Sequence, residues 1–365
     1  MSQKEYLILL SSFVDFGPLR VGLLLKYFGS AKKIWEASFE TLLKTGLGEG
    51  LTKKFIFHRN RIGPANYFER LNKLGISCLT VFERNYPKNL KEIDDAPYVL
   101  YVKGKIKKED EDAVAVIGSR RMTSYGKSVT GLFSKELALS GVTIISGLAR
   151  GVDTEAHKGA LEAGGRTIAV LGAGLDRLYP PENLSLAREI TDRGALVSEY
   201  PPGYPIRPFN FVARNRIVSG LSKAVLVIEG EEKSGTLITA THAANQGRSV
   251  FAVPGQITSS FSGAPHFLIK NGAKMVSSVA DIFEEGEVTV KKKVGKAVLS
   301  VDADERKILS FLEKGPLQLD KIARISSLEA PALFVKLTEM ETKGFIKNLG
   351  GGVYRRTPPS KLKKK

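Results

Sequence analysis

The sequence contains very little cysteine and histidine. Its 365 residues include one cysteine, Cys78, and four histidines. A single cysteine cannot close an internal disulfide, and it excludes metal sites that are built from several cysteines. Because the histidines are scattered as well, we expect no metal ion and no cofactor. A chain without disulfides is typical of a reducing compartment, so a cytoplasmic location is predicted.

Long apolar runs are also missing. No run approaches the roughly 18 residues that a membrane span needs. The first ten residues contain Lys4 and Glu5 and lack a small-residue cleavage site, which is unlike a signal peptide. The apolar fraction of 42% and the charged fraction of 25% are those of a globular chain. We therefore expect a soluble protein of two or three domains, at about 100–200 residues per domain, with no membrane partner.

Positive charge is present in excess. The 55 Lys and Arg outnumber the 38 Asp and Glu, which gives a formal net charge of +17. Such an excess is typical of nucleic-acid-binding proteins, and solubility is the alternative explanation. Residues 1–62 carry ten basic and five acidic side chains, and residues 287–365 carry 18 and nine. The flanks are therefore basic, whereas residues 63–286 have a net charge of only +3.

The central region alternates short apolar runs with amphipathic segments of helical length. The apolar runs cover 113–117, 142–145, 167–171, 195–197, 224–228 and 249–253, and the clearest helical segments cover 125–140, 154–163 and 237–246. Asp153 and Thr236 precede such segments and are expected to be N-caps. This alternation predicts an α/β fold with a Rossmann-like, doubly wound parallel sheet over residues 63–286.

Glycine and arginine occur together after three of the predicted strands. In sheets of this type ligands bind beyond the carboxyl ends of the strands. The residues concerned are Gly118, Ser119, Arg120 and Arg121 after the first strand, Gly147 after the second, and Gly172, Gly174 and Arg177 after the third. We expect backbone amides and guanidinium groups there to bind phosphate. The alternative is that the glycines serve only the tight turns.

Two more segments belong to the predicted site. Arg214 and Arg216 precede the fifth apolar run, and Ser234, Gly235 and Thr236 follow it. For the two arginines the alternative is a structural ion pair with Glu199 or Glu229. Six aromatic residues accompany these loops, and we expect one or two of them to stack on bases: Tyr179, Tyr200, Tyr204, Phe209, Phe211 and Phe261.

The order of these motifs resembles that of a known family. The segments are GSR at 118–120, ISGLARGVD at 145–153, AH at 156–157, GAGLD at 172–176, YPPEN at 179–183, SEYP at 198–201, RNRIVSGL at 214–221, SGT at 234–236 and VPG at 253–255. Together they resemble the DNA-processing protein A family (DprA, also called Smf). In that family an arginine of the Gly-Ser-Arg turn faces DNA, and Arg120 matches it. A second basic position falls on Pro181, where Arg177 or Arg121 is the candidate substitute.

The resemblance implies a non-enzymatic protein that binds single-stranded DNA and protects it from nucleases. It also implies that the protein helps to load the RecA recombinase during natural transformation. The implied partners are single-stranded DNA, RecA and single-strand-binding protein, and the implied assembly is a homodimer. His266, Leu268 and Ile269 lie in an apolar segment that is the candidate dimer interface, with simple helix packing as the alternative.

The flanks predict two small domains. Short helices with glycine turns over 1–62 suggest a helix-hairpin-helix or SAM-like domain. Residues 287–300 are expected to be a linker, and 301–357 predict a winged helix, followed by a basic tail at 358–365. Lys336, Lys343, Arg355 and Arg356 are its candidate phosphate contacts. Whether either small domain binds DNA or docks a protein stays open.

The main competing function is enzymatic. Nucleotide phosphoribohydrolases of the lysine-decarboxylase-like group have the same type of sheet, a Pro-Gly-Gly-x-Gly-Thr turn and a glutamate just after it. Here Ile238 and Thr239 stand where that carboxylate is needed, so no general acid or base is evident. His157 and His242 lie on predicted helices, where we expect packing roles. No catalytic residue is therefore predicted.

Overall fold

The chain divides into two compact units. A computed structural model describes residues 1–289, 303–313, 315–326, 328–342 and 345–356. The units are Met1–Lys293 and Val294–Lys365. Residues 290–300 of the predicted linker and the whole predicted tail at 358–365 lie outside the described residues.

The first unit begins with six helices. They are α1 Gln3–Ser11, α2 Gly17–Phe28, α3 Ala31–Glu36, α4 Phe39–Leu43, α5 Glu49–Arg61 and α6 Pro64–Lys73. Serine caps start several of them, since Ser2, Ser30 and Ser38 accept hydrogen bonds from backbone amides in the first turns of α1, α3 and α4. Their apolar faces share one core cluster with residues of the sheet such as Leu171 and Leu196. The helices predicted as a separate domain therefore pack in the same compact unit as the sheet.

The rest of the first unit is a nine-stranded sheet with helices on both faces. Its elements are β1 Ser77–Thr80, α7 Lys88–Lys91, β2 Val99–Gly104, β3 Ala113–Ile117, α8 Ser124–Leu139, β4 Thr143–Ser146, α9 Val152–Glu162, β5 Thr167–Val170, α10 Leu184–Arg193, β6 Ala195–Ser198, α11 Pro208–Ala213, α12 Asn215–Gly220, β7 Ala224–Val227, α13 Gly235–Asn245, β8 Ser249–Ala252, α14 Gly263–Lys270, β9 Lys274–Met275 and α15 Val279–Phe283. The strand order is β1-β2-β6-β5-β4-β3-β7-β8-β9. The predicted doubly wound parallel sheet is thus confirmed from β6 to β9.

The apolar strands are continuous because both faces of the sheet are covered. In β3, Val114 and Val116 belong to the core on one face, whereas Ala113, Ala115 and Ile117 belong to the core on the other. A strand buried on both faces needs apolar residues at every position. Two antiparallel strands, β1 and β2, extend the sheet beyond β6 and were not predicted.

The strand order places a topological switch point between β3 and β7. The chain moves from β3 through β4 and β5 to β6 on one side, and then returns to place β7 on the other side of β3. Consecutive connections that leave in opposite directions open a crevice at the carboxyl ends of the two strands, where ligands bind in this class of fold. The switch point therefore positions the candidate site.

The second unit contains the predicted winged helix. Its elements are α16 Ala303–Leu312, β10 Leu317–Gln318, α17 Leu319–Ser326, α18 Ala330–Thr342, β11 Ile346–Asn348 and β12 Val353–Arg356. The three strands pair in the order β10-β12-β11. Ile308, Leu337 and Tyr354 are among the buried residues of its own core. Lys343, one of the four predicted phosphate contacts, lies outside the described residues.

No single helix among the described residues is long and apolar enough to cross a membrane. Helix α1 and the segment Val14–Phe28 meet the length and composition only when taken together, and they are bent by 82°. Within the same described residues, no group of three or more His, Cys, Asp or Glu side chains could hold a metal ion.

His157 makes the folded protein sensitive to acid. It lies on α9 fully buried, and its Nδ1 is 2.6 Å from Oγ1 of Thr167 on β5, which is the packing role expected for it. Burial lowers the pKa of His157 to about 3. The unfolded chain therefore binds a proton at this residue below about pH 6.5 that the folded chain does not bind, so stability is lost as the pH falls from there towards 3.

We predict that wild-type protein loses about 1.4 kcal/mol of unfolding free energy per pH unit below pH 6.5 relative to the His157→Gln variant. Urea denaturation of both proteins at pH 7.5, 6.5, 5.5 and 5.0 measures the difference. Parallel pH profiles for the two proteins would contradict the buried neutral state of His157.

Candidate functional site

A groove of about 500 Å³ lies at the switch point between β3 and β7. It is bordered by the turn after β3, the turn after β4, helix α11 and the start of α13. Nine of the predicted residues line it: Gly118, Ser119, Arg120, Arg121, Gly147, Arg214, Ser234, Gly235 and Thr236. The structure thus brings most of the predicted site together.

The turn after β3 is held in place by Glu229, a buried residue just after β7. Its backbone oxygen accepts a hydrogen bond from the Ser119 amide at 2.8 Å, and its carboxylate accepts one from the Thr123 amide at 2.9 Å. Gly126 lies against this carboxylate, and a Cβ there would come within 2.1 Å of Oε2. The turn between Ser119 and Thr123 is therefore anchored at both ends, and Arg120 and Arg121 between them are exposed.

The two exposed arginines of this turn are available to a ligand. Among the residues that the structure describes, neither Arg120 nor Arg121 takes part in an ion pair. The Arg121 amide donates to Ser119 Oγ at 3.0 Å, so Ser119 closes the turn internally. The anion-binding capacity of the turn therefore lies mainly in its guanidinium groups.

Asp153 occupies the amides of the turn after β4. Its Oδ2 accepts hydrogen bonds from the Gly147 amide at 3.1 Å and the Ala149 amide at 3.3 Å. Asp153 is the second residue of α9, and Gly151 is the N-cap, so the predicted N-cap was wrong. Burial raises the pKa of Asp153, and the nearby guanidinium of Arg214 opposes that shift. The Gly147 amide is directed at this carboxylate, which corrects the expectation that it binds phosphate.

Arg214 and Arg216 both make structural hydrogen bonds and ion pairs, and their contact with DNA stays a prediction. Arg214 is 4% exposed and donates through Nη1 to the backbone oxygens of Gly147 at 2.6 Å and of Val170. Burial lowers the pKa of Arg214 to about 10, so it stays charged at neutral pH beside Asp153. Arg216 forms the alternative ion pair with Glu199.

Arg216 is anchored on a second side as well. Its Nε lies 3.1 Å from Asp95 Oδ2, and its side chain is 9% exposed. Arg214 therefore belongs to the buried wall of the groove, whereas Arg216 is not among the groove residues.

The turn after β5 lies outside the groove. A Cβ on Gly172 would come within 3.2 Å of the Asn210 backbone, and one on Gly174 would come within 2.5 Å of the Pro201 oxygen. These glycines therefore allow the segment 201–211 to pack closely over the turn. Arg177 is exposed but is not among the groove residues. The prediction that Gly172, Gly174 and Arg177 join one common site is not met by this geometry.

The start of α13 forms the opposite border of the groove. Ser234 is the N-cap residue and Thr236 is the second residue of the helix, so Thr236 was wrongly predicted to be the cap. The Ser234 Oγ is buried and has no hydrogen-bond partner among the described residues. Gly235 is exposed, and a Cβ there would meet nothing within 4 Å. This helix start therefore faces the turn between Ser119 and Thr123, which we call the arginine turn, with little steric obstruction.

Two aromatic rings lie in a row beside Arg120 of the arginine turn. The Arg120 guanidinium carbon lies 5.6 Å from the centroid of the Phe211 ring, which lies 5.8 Å from that of Tyr179. Arg150 follows at 5.9 Å from the Tyr179 ring and pairs with Glu182. The row Arg120–Phe211–Tyr179–Arg150 is thus a mixed cationic and aromatic surface. Tyr179 and Phe211 were among the rings predicted to stack on bases. Arg150 was not among the predicted site residues, although it lies in the glycine-containing segment that follows β4.

The other predicted aromatic residues have different surroundings. Phe261 also lines the groove. Tyr200 is 5% exposed and stacks on Tyr204 with ring centroids 4.9 Å apart. Phe209 is exposed on α11. Phe211, Tyr179 and Phe261 are therefore the rings within reach of a ligand in the groove.

Comparison with known proteins identifies relatives of this chain. The family model for DNA recombination-mediator protein A matches residues 77–287, and that for the DprA winged helix domain matches residues 296–352. Protein Smf of Synechocystis sp. is 32% identical over 397 residues, which covers 97% of this chain and 99% of the relative. The DNA processing protein DprA of Bacillus subtilis is 44% identical over 212 residues, covering 58% and 71%.

Two solved structures share the fold. The X-ray structure of DNA processing protein A from Streptococcus pneumoniae has a TM-score of 0.62 and 37% identity, covering 68% of this chain and 87% of that one. A Helicobacter pylori structure has a TM-score of 0.51 and 32% identity, covering 57% and 94%. That structure is described as giving insights into the single-stranded DNA binding mode of DNA processing protein A.

We predict that Gly151→Ala destabilises the protein by at least about 2 kcal/mol and weakens ligand binding in the groove. Gly151 has φ +74°, and a Cβ there would lie 2.2 Å from the Ser119 oxygen, so the arginine turn has to move. Gly247→Ala is the matched control, because Gly247 has φ +68° with nothing within 4 Å of the Cβ. Urea denaturation compares the two variants. Equal losses would show that the contact with the turn has no energetic role.

Proposed function

The chain belongs to the DNA recombination-mediator protein A family, and from that premise we propose that the switch-point groove binds single-stranded DNA. The observation that carries the proposal is the exposed pair Arg120 and Arg121 beside the rings of Phe211 and Tyr179. Cations and flat rings on one surface suit a strand that offers phosphates and unpaired bases together. The relative from Helicobacter pylori, described by its single-stranded DNA binding mode, supports this assignment.

In this mechanism the two arginines neutralise phosphates while one or two bases stack on the rings. Guanidinium groups donate bidentate hydrogen bonds to phosphate oxygens, which fixes the path of the backbone. Stacking on Phe211 and Tyr179 contributes roughly 1–3 kcal/mol per base and does not depend strongly on base identity. Binding in the groove is therefore expected to tolerate many sequences and to weaken as salt is added.

The wider role is proposed from the family relationship. We propose that the protein protects incoming single-stranded DNA from nucleases and helps to load RecA in natural transformation. Single-strand-binding protein is the other proposed partner, and the cytoplasm is the proposed location.

We propose that the protein acts without catalysis. Two carboxylates close to the groove, Asp153 and Glu229, are occupied by backbone amides of the turns. Ile238 and Thr239 stand on α13 where the phosphoribohydrolases need a glutamate. Glu231 also lines the groove, and its side chain is exposed to solvent. Release of free base from a nucleoside monophosphate would overturn this part of the proposal.

The proposed homodimer uses the region of α14. Phe267 is 45% exposed on this helix, and Ile269 is half-buried. Leu268 packs partly against the core of the sheet, and His266 Nε2 lies 3.0 Å from the Gly255 oxygen. His266 and Leu268 thus have packing roles within the chain, so the proposed interface rests mainly on Phe267 and Ile269.

We predict that Ile269→Arg converts a dimer to a monomer, because a charge on this face would be buried without a partner. Light scattering of the purified protein measures the change in mass. Leu23→Arg is the control, since Leu23 is an exposed residue of α2 outside the proposed interface. A dimer that persists in Ile269→Arg, with or without Leu268→Arg, would remove this face from the proposal.

We predict that Arg120→Ala weakens binding of an oligo-dT strand about tenfold, and that Arg120→Ala with Arg121→Ala weakens it further. Phe211→Ala should weaken it by a similar factor through lost stacking. Fluorescence anisotropy titrations at fixed salt measure these affinities. Arg188→Ala is the matched control because Arg188 is exposed on α10, outside the groove. Unchanged affinity in the double variant would exclude the groove as the binding site.

A further inference from the structure

A second pocket, of about 280 Å³, lies on the other side of α11 from the groove. Helix α11 separates the two cavities. Phe209 and Ala213, which are four residues apart, line the second pocket, whereas Phe211 and Val212 line the groove. The far wall of the pocket is formed by Val21 of α2 and by other residues of the N-terminal helices.

The walls of this pocket are mainly aromatic and aliphatic. Tyr98, Tyr200, Tyr204 and Phe209 all line it. Tyr200 and Tyr204 are stacked with an interplanar angle of 11°, so they present a flat double layer. The volume of about 280 Å³ lies just below the roughly 300–1,000 Å³ range of ligand pockets, which suits one planar ring system rather than a larger molecule.

One end of the pocket is polar and carries a carboxylate. Glu199 and Arg216 both line the pocket and are paired with each other. Arg216 is 8% exposed, and its Nη2 and Nε bind Glu199 and Asp95. This pairing fixes the Glu199 carboxylate in the wall of the pocket, where a carboxylate can accept hydrogen bonds from a ligand.

We infer that the pocket between α2 and α11 is a nucleobase subsite that prefers guanine. The aromatic walls provide stacking for a flat ring. The polar end offers the Glu199 carboxylate as an acceptor, and guanine has the complementary edge, because its N1–H and N2–H are two adjacent donors. Adenine and cytosine each present a single amino donor on that edge, and thymine presents a single N–H.

The base can come from two sources with the same chemistry. A base of a strand bound in the groove would reach the pocket around α11, and this source rests on the proposed function. A free guanine nucleotide would enter the pocket without any strand in the groove. Titrations with dGMP and with oligonucleotides therefore distinguish the two sources.

The test compares strands that differ by one base. Full-length protein is titrated with a labelled oligo-dT strand and with strands that carry one central dG, dA or dC. The expected result is that dG raises the affinity about tenfold over the other three, near the lower end of the discrimination that a bidentate base contact gives. Calorimetry with dGMP and dAMP adds the free-nucleotide arm, and binding of dGMP alone also supports the subsite.

Variants of the pocket decide whether the preference arises there. Phe209→Ala removes a wall residue that is 59% exposed, so folding is expected to survive. It should abolish the preference for dG, as should Glu199→Gln if that variant folds. Phe57→Ala is the matched control, since Phe57 is 62% exposed on α5 and does not line the pocket. Binding of plain oligo-dT should remain in Phe209→Ala.

Two outcomes would overturn the inference. One is equal affinity for all four strands together with no binding of dGMP. The other is a preference for dG that persists in Phe209→Ala. If the wild-type protein does not bind oligo-dT, the proposed function of the groove is contradicted. Binding of dGMP would then still support the subsite.

Discussion

The buried guanidinium of Arg214 is the interaction on which the architecture of the sheet edge depends. It donates to the backbone oxygens of Gly147 and Val170, at the carboxyl ends of β4 and β5, and lies 3.9 Å from Asp153. Asp153 in turn holds the amides of the turn after β4. One charge therefore ties two strands, a turn and the junction of α11 with α12 together. Because burying an ion pair costs desolvation energy, its benefit is a fixed geometry rather than net stability.

That fixed junction explains why α11 can act as a wall with a different cavity on each side. The arginine turn after β3 is anchored separately by Glu229, so its two guanidinium groups project from a rigid base. A preorganised cationic surface loses little conformational entropy when a strand binds. The region 63–286 carries a net charge of only +3, so placement matters more than total charge in this account. The basic flanks would then mainly increase the rate of encounter with DNA.

The parallel strands were predictable because burial on both faces requires continuous apolar runs, whereas the switch point depends on a strand order that such runs do not encode. The antiparallel strand β2 was not, because nothing in 99–104 shows that it pairs with β6 rather than with a parallel neighbour. Arg120 follows one apolar segment and Arg214 precedes another, so the sequence does not indicate which of the two side chains is buried. Only the tertiary placement of Asp153 and of the carbonyl groups around Arg214 buries one and leaves the other exposed. Gly172 and Gly174 were likewise assigned to the shared site. Local sequence patterns do not show that the segment 201–211 packs over these two glycines.

The central claim is that Arg120 and Arg121 neutralise phosphates of single-stranded DNA. The most direct measurement is the slope of log affinity against log salt concentration for an oligo-dT strand, in wild-type protein and in the Arg120→Ala/Arg121→Ala variant. Each lost phosphate contact on a single strand should reduce the magnitude of the slope by about 0.7, so the account predicts a difference of about 1.4. Identical slopes in the two proteins would contradict it.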